Sequence, residues 1–431
     1  MRLTGWGRFP ERVVELFSPT SIEALRGWLS RGEGVVRGMG RAYGDSALSA
    51  RVATTRFLDR FQAFDEQTGV FRCDAGVTLR DLLAVTVPRG WALPVTPGTS
   101  WVTVGGAIAS DVHGKNHHRT GTFGRHVESL VLLTGDGQIR SVSRDDDGEL
   151  FLATCGGMGL TGAVLSAELR LAPVASAVML ESRVRASTWE ASCELFHQYA
   201  EEPYSVSWVD VLSMGRHFGR SIFSYGRHAS EGRRQFKTRA ALQVPAVMPT
   251  WLLNDAALGL FNRLYYAISL PRSDAVVPMS GFFYPLDSIA DWNRLYGSTG
   301  FVQYQFVVPL DRGVAAMKNI LGYLRSQGHG AYLAVLKLFG DQSGAPLSFP
   351  LRGFSIALDF RYSPELLRSL KIADQMVVDA GGRVYLTKDS SLEREPFRAM
   401  YPRWSEFEQV RRRVGSEGVF ASDQAKRLGF V

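Results

Sequence analysis

At 431 residues the chain is too long for one compact core, and its 45% hydrophobic and 21% charged residues exclude a disordered chain. A formal net charge of +7 favours anionic partners such as phosphates or acidic lipids. Three cysteines, Cys73, Cys155 and Cys193, with no CxxC spacing, argue against a disulfide framework and fit a reducing compartment. The first residues, MRLTGWGRFPERVVELF, carry no apolar stretch of signal-peptide type, and no apolar run is long enough to span a bilayer.

In chain order, residues 19–31 predict a helix, with Thr20 or Ser21 as N-cap and Ile22, Leu25 and Leu29 on one face. Gly32 and Gly34 end it, and Val35-Val36 begin a strand that runs into RGMGRAYGDSA. Gly38, Gly40 and Gly44 resemble a dinucleotide fingerprint, but no amphipathic helix follows, which disfavours a Rossmann unit. The other reading is an anion nest for a pyrophosphate, with Arg37 and Arg41 adding charge. Residues 54–95 read as short strands around a helix carrying Leu79, Leu82 and Leu83. The stretch 95–125 then holds six glycines and three histidines, His113, His117 and His118, and few side chains large enough for a core. It predicts a backbone wall against a large, flat or charged ligand. A hairpin turning at Asp136-Gly137 follows, and then a second glycine-rich approach, CGGMGLTG, which leaves as a strand through Val164 and Leu169. After Ala172-Pro173 the glycine loops cease. FVQYQFVVPL and RGFSIALDFRY alternate as strands of one larger sheet, and PELLRSLKIADQMVVDAGG predicts a helix ending at Gly381.

RGMGRAYGD, PGTSWVTVGGAIASDVHGKNHH, GTFG, LLTGDG and GGMGLTG, in this order, resemble the FAD-binding domain of the vanillyl-alcohol oxidase-type flavoenzymes. LTGWGR, DWNRLYG, GFVQYQFVVP, LKLFG, APLSFP, GGRVYLTKDS, MYPR and VFASDQAKRL extend the similarity over nearly the whole chain, to the decaprenylphosphoryl-β-D-ribose 2′-oxidase family. That resemblance implies an α+β, two-domain fold. An FAD-binding domain is made from residues 1–176 and 383–431, and a substrate domain on an antiparallel sheet from 177–382. It further implies oxidation of the 2′-hydroxyl of a polyprenylphosphoryl-ribose to the keto sugar, which a partner keto-reductase converts to the arabinose donor for cell-wall glycans. A soluble sugar, alditol or aldonolactone oxidase is the alternative.

For the cofactor, the resemblance implies contacts from Val36, Arg37, Gly38, Met39, Gly40, Arg41, Ala42, Tyr43, Gly44, Asp45 and Ser46 in the first loop. It adds Gly98, Thr103, Val104, Gly105, Gly106, Ser110, Asp111, Val112 and His113 in the second, with Val164 and Tyr385. Related sugar-lactone oxidases often carry a flavin-bonded histidine in the first loop. Arg41-Ala42 stand in that place, so the FAD is expected to be noncovalent. Alcohol oxidation needs a hydride acceptor and a base for the hydroxyl proton. Lys388, Tyr43 and His113 are the catalytic candidates, and the sequence does not choose among them. Lys115, Trp208, Gln303, Gln305, Lys337, Phe339, Asp359 and Lys388 match substrate-pocket positions; lysines and glutamines suit a phosphorylated pentose. Ala357 stands where the mycobacterial members have a pocket cysteine, and Ser355 replaces an asparagine, so inhibitors that trap that cysteine are not expected to label Ala357. A metal at the three histidines is disfavoured for want of a carboxylate or cysteine pattern, and hydrogen-bonded loop histidines remain a reading for His117 and His118.

Residues 231–272 place Arg233, Arg234, Lys237 and Arg239 ahead of Trp251, Leu252, Leu253, Leu260, Phe261, Leu264 and Tyr265. Such a segment fits either a lid lying on an anionic membrane or a buried helix of the substrate domain. Nucleic acid is not expected as a partner, because no nucleic-acid-binding fold is recognisable. The expected location is the cytoplasm or the periplasmic side of the inner membrane, at the membrane periphery.

Overall fold

The computed structural model describes residues 1–213, 215–237, 240, 242–248 and 255–430. Near the N-terminus, β1 (Glu15–Phe17), α1 (Ile22–Leu29), β2 (Val35–Arg37) and β3 (Arg51–Thr54) form a parallel three-stranded unit in the order β1-β3-β2. Ser21 caps α1 by accepting from the Ala24 N–H, and Leu25, Trp28 and Leu29 are its buried stripe. A loop, not a helix, joins β2 to β3, so the glycine fingerprint does not belong to a Rossmann unit.

A second sheet follows, with β4 (Phe61–Asp65), β5 (Val70–Asp74), β6 (Val127–Leu133), β7 (Ile139–Ser143) and β8 (Ala163–Arg170) in the order β7-β6-β8-β5-β4. Against it lie α2 (Leu79–Thr86) and α3 (Val104–Ala109). Here the reading of residues 95–125 needs correction. The stretch is a wall on one side only, because Val104, Ala107 and Ile108 of α3 are fully buried core residues.

The largest sheet has eight antiparallel strands, β12-β9-β11-β10-β14-β15-β13-β16. They are β9 (Val178–Ala186), β10 (Tyr204–Val209), β11 (Ser221–His228), β12 (Arg272–Pro278), β13 (Phe301–Pro309), β14 (Leu333–Phe339), β15 (Gly353–Arg361) and β16 (Arg383–Val384). α4 (Asp255–Ile268) sits over one face, while α5 (Leu310–Ser326) and α6 (Pro364–Asp379) cover the other. Period-2 alternation decides the faces: Ala334 and Leu336 enter the core, while Leu333, Val335 and Lys337 line the opposite side.

The C-terminal tail returns to the N-terminal unit. Gly34 exchanges backbone hydrogen bonds with Val419 and Ala421, and the Asp423 N–H, at the start of α7 (Asp423–Leu428), donates to Leu48 O at 2.7 Å. Arg411, fully buried, pins this return by donating to Leu160, Phe420 and Phe430 carbonyls and pairing with Glu408 at 2.5 Å. The three cysteines are buried and free. Among the described residues no helix is long and apolar enough to cross a membrane.

Candidate active site

A cavity of about 970 Å³ lies between the glycine loops and the large sheet, at the upper end of the ~300–1,000 Å³ usual for ligand sites. The first glycine loop forms one edge. Gly38 packs so closely on α3 that a Cβ there would lie 2.3 Å from Thr103 Oγ1, the atom that caps α3 by accepting from the Gly106 N–H. Backbone therefore faces the cavity from both segments. Val36, Gly38, Met39, Gly40, Arg41, Ala42, Tyr43 and Ser46 line it, as do Gly98, Thr103, Gly105, Gly106, Ser110, Val112, His113, Val164 and Tyr385.

Five expected cofactor residues do not reach that surface. Arg37 turns into its own loop and donates to Thr4 O at 2.7 Å and Ala47 O at 3.3 Å, so it is not available to a phosphate. Val104 is core. Asp111 accepts from the Gly124 N–H and Ser343 Oγ, holding the loop behind the wall. Gly44 lies against the turn bearing Lys388, where a Cβ would be 1.7 Å from Asp389 O. Asp45 pairs with Arg427 at 2.6 Å. Arg427 also binds Asp389 at 3.0 Å, so one guanidinium from α7 ties the Tyr43 loop to the Lys388 turn. Sequence reasoning missed this clamp; its only trace was a carboxylate in each of the segments RAYGDS and TKDS.

The catalytic candidates Lys388 and Tyr43 meet at that junction. Lys388 Nζ stands 3.7 Å over the Tyr43 ring, and the Tyr43 N–H donates to Thr387 O at 3.0 Å. Burial brings the Lys388 ammonium down to about 7, opposed by Asp359 and assisted by Lys337. Burial, then the charge of Asp359, pushes the Tyr43 phenol well above its ordinary value. Burial, with the charge of Lys337, holds His113 well below its ordinary value, hence neutral. Gln305 Nε2 donates to His113 Nε2 at 2.9 Å, which puts the imidazole proton on Nδ1. The Tyr385 hydroxyl donates to Ser110 O at 2.7 Å and its ring stacks on Phe349, so this residue bridges the tail to the second glycine loop.

Of the expected substrate residues, Lys115, Trp208, Gln303, Gln305, Lys337 and Lys388 line the cavity. Phe339 and Asp359 point to the same side of the sheet but are covered. Phe339 lies under the His113 and His117 rings, at 4.7 and 4.6 Å. Asp359 accepts from Gln303 Nε2 at 2.5 Å and from the Tyr296 hydroxyl at 3.0 Å. Burial raises its carboxyl to about 6. Burial lowers Lys115 to about 7 and Lys337 to about 8; Lys115 Nζ donates to Phe282 O and sits over the Phe282 ring. Ala357 is on the cavity surface and Ser355 is buried behind Gln305. His117 Nδ1 accepts from the Gly340 N–H, and His118 bonds to Glu202 O. Trp6, Trp101, Phe282 and Asp287 also line the cavity; Trp6 and Trp101 fall within the family-like segments LTGWGR and PGTSWVTVGG without being singled out there, and Phe282 and Asp287 carried no sequence signal.

Three buried polar atoms on residues that line this cavity, Arg41 Nε, Thr55 Oγ1 and His113 Nδ1, have no partner among the described residues. Together with walls that admit no Cβ at Gly38, they fit a large ligand carrying both phosphates and a flat polar ring. Fold and site thus define an FAD-dependent oxidoreductase, in agreement with a family model described as an FAD binding domain that matches residues 22–143. A second model, described as D-arabinono-1,4-lactone oxidase, matches residues 359–428. The chain is 39% identical to decaprenylphosphoryl-beta-D-ribose oxidase of Mycolicibacterium smegmatis, over 99% of this chain and 97% of that one. It is 35% identical, over 82% of its length and all of the relative's, to an uncharacterized protein of Streptomyces coelicolor. With L-gulono-1,4-lactone dehydrogenase of Mycobacterium tuberculosis it shares 21% over 98% of both chains. The chain belongs to the decaprenylphosphoryl-β-D-ribose oxidase family.

Proposed function

We propose that this protein oxidises the 2′-hydroxyl of a polyprenylphosphoryl-β-D-ribose to the 2′-keto sugar, using noncovalently bound FAD. The observation that carries the reading is one cavity in which a glycine-built wall meets Lys388, stacked on Tyr43, and the polar strand residues Gln303, Gln305 and Lys337. Full-length similarity to a protein named for that substrate supports it. FAD, when bound, supplies the hydride acceptor. The cavity-lining residues of segments 38–46 and 98–113 would hold it, with Arg41 toward its phosphates and His113 and Tyr385 toward its ring.

Lys388 takes the hydroxyl proton. Near pH 7 a large fraction of its amine is neutral, whereas the Tyr43 phenol keeps its proton and neutral His113 is already engaged by Gln305. Lys115 and Lys337 supply donors for the phosphate, and Gln303 and Gln305 for the sugar hydroxyls. We assign residues 1–176 and 383–431 to the flavin part and 177–382 to the substrate part, with Arg383–Val384 adding the last strand to the substrate sheet. A separate keto-reductase would complete the epimerisation.

The lid reading receives support from α4. Only Leu258 and Asn262 of this helix are buried, while Leu260, Leu264 and Ile268 are 58, 55 and 73% exposed. Arg233, Arg234 and Lys237 are exposed as well; Arg239 and Trp251–Leu253 lie outside the described residues. An exposed apolar helix face of this kind suits peripheral contact with a membrane surface, and the basic residues lie apart from it, Arg233 and Arg234 bonding at Ala177 and Ala175. The match to the lactone oxidase model over 359–428 favours one second reading, a soluble sugar or lactone oxidase. Reducing the product with borodeuteride separates the two. Deuterium at C2′ of the lipid-linked pentose is expected, and turnover confined to free lactones or alditols would overturn the proposal.

A further inference from the structure

The cavity runs far beyond the reacting end. Its floor is one face of the large sheet, and strand registers place Gln305 opposite Ala357, Ala357 opposite Val335, Val335 opposite Trp208, and Trp208 opposite Ile222. All five line the cavity. Neighbouring strands lie about 4.8 Å apart, so the four steps of this row cover about 19 Å. Its first residue is polar and bound to His113; the next four are apolar. A pentose and its phosphate are too short to cover such a row.

α4 roofs the far half. Phe261 and Tyr265 line the cavity from above, and Tyr265 stands edge-on to Trp208 at 4.9 Å. Asn262 Nδ2 anchors the helix there by donating to Asp210 Oδ1 at 2.9 Å, one residue past the end of β10. Opposite Ile222, on β9, stands Arg185, and alongside the row Glu181 accepts from Ser224 Oγ and pairs with Arg183. The dry surface therefore has a beginning at the sugar end, an end at β9, and a roof.

We infer that the row Ala357–Val335–Trp208–Ile222, roofed by Phe261 and Tyr265, seats the first isoprene units of the substrate's polyprenyl chain. This deepens the function proposed above and rests on it. The chain leaves the reacting end along the row, and its remainder turns out past α4 toward the exposed Leu260 and Leu264. Apolar floor and roof desolvate the prenyl carbons, so chain length is read as apparent affinity while the chemistry stays at Lys388.

The test uses the full-length, FAD-loaded protein under anaerobic conditions, with ribosyl phosphodiesters carrying ethyl, geranyl or farnesyl tails. Flavin bleaching by the farnesyl ester is expected to be at least ~10-fold more efficient than by the ethyl ester. Trp208→Ala and Ile222→Gln should each bring that ratio to within about threefold of unity, with FAD content reporting folding. In the unaltered protein, a farnesyl ester bearing a diazirine on its last isoprene should label segments 204–209, 221–228, 255–268 or 333–339. A ratio preserved in both variants, or label found only elsewhere, overturns the seat and leaves the substrate reading intact. Bleaching by free lactones or alditols and by none of the three esters overturns the substrate reading itself.

Discussion

The two walls of the cavity are made from different material. On the flavin side, the segments around Gly38 and Gly105 offer backbone, and the tolerance is a single atom: a Cβ at Gly38 would lie 2.3 Å from Thr103 Oγ1. On the sheet side, strands drawn from residues 178–361 each contribute one to three side chains, from Trp208 to Ala357. A wall of the first kind fixes what is bound and fails outright when altered. One of the second kind sets specificity and can change residue by residue. Lys388 stands where the two meet.

The largest effect expected is at that meeting point. Lys388→Ala should slow flavin reduction by lipid-linked ribose by about 10²–10⁴-fold at unchanged FAD content, read by anaerobic stopped-flow; an unaltered rate would move the base elsewhere. Gly44→Ala tests the close packing of the Tyr43 loop on the Lys388 turn behind the wall, where a Cβ would lie 1.7 Å from Asp389 O, with an expected loss of about 3 kcal/mol in denaturant unfolding, together with loss of FAD. Arg427→Met removes the clamp and leaves the buried Asp45 and Asp389 carboxylates unpaired. It should cost a comparable amount, about 3 kcal/mol, and full retention of stability would reduce the clamp to a surface feature.

The smallest effects concern pH and the floor. With the neutral amine of Lys388 as the proposed base, kcat/KM should rise with pH through about 7. Asp359 favours the charged amine and Lys337 disfavours it. Asp359→Asn should therefore shift the acidic limb to lower pH and Lys337→Met to higher pH. Shifts in the same direction in both variants would show that Lys388 does not set the limb.

The glycine wall was legible in the sequence because close approach demands one residue type at contiguous positions. The family resemblance adds Val104 and Asp111 to that wall; they lie in the same segment, with their side chains buried behind it. The floor was legible only through family resemblance, since no local pattern links Gln305 to Trp208. Even then, strand alternation gave the face without the cover, so Phe339 and Asp359 were expected in the pocket and lie beneath His113 and Gln303. The Arg427 clamp joins residues 382 positions apart and left no periodicity to read.

The measurement closest to the central claim is the anaerobic flavin spectrum of the purified protein titrated with polyprenylphosphoryl-ribose, and separately with free ribose, alditols and aldonolactones. Bleaching by the lipid-linked sugar alone is the predicted result. Equal bleaching by free sugars, or a protein that binds no FAD, would contradict the account.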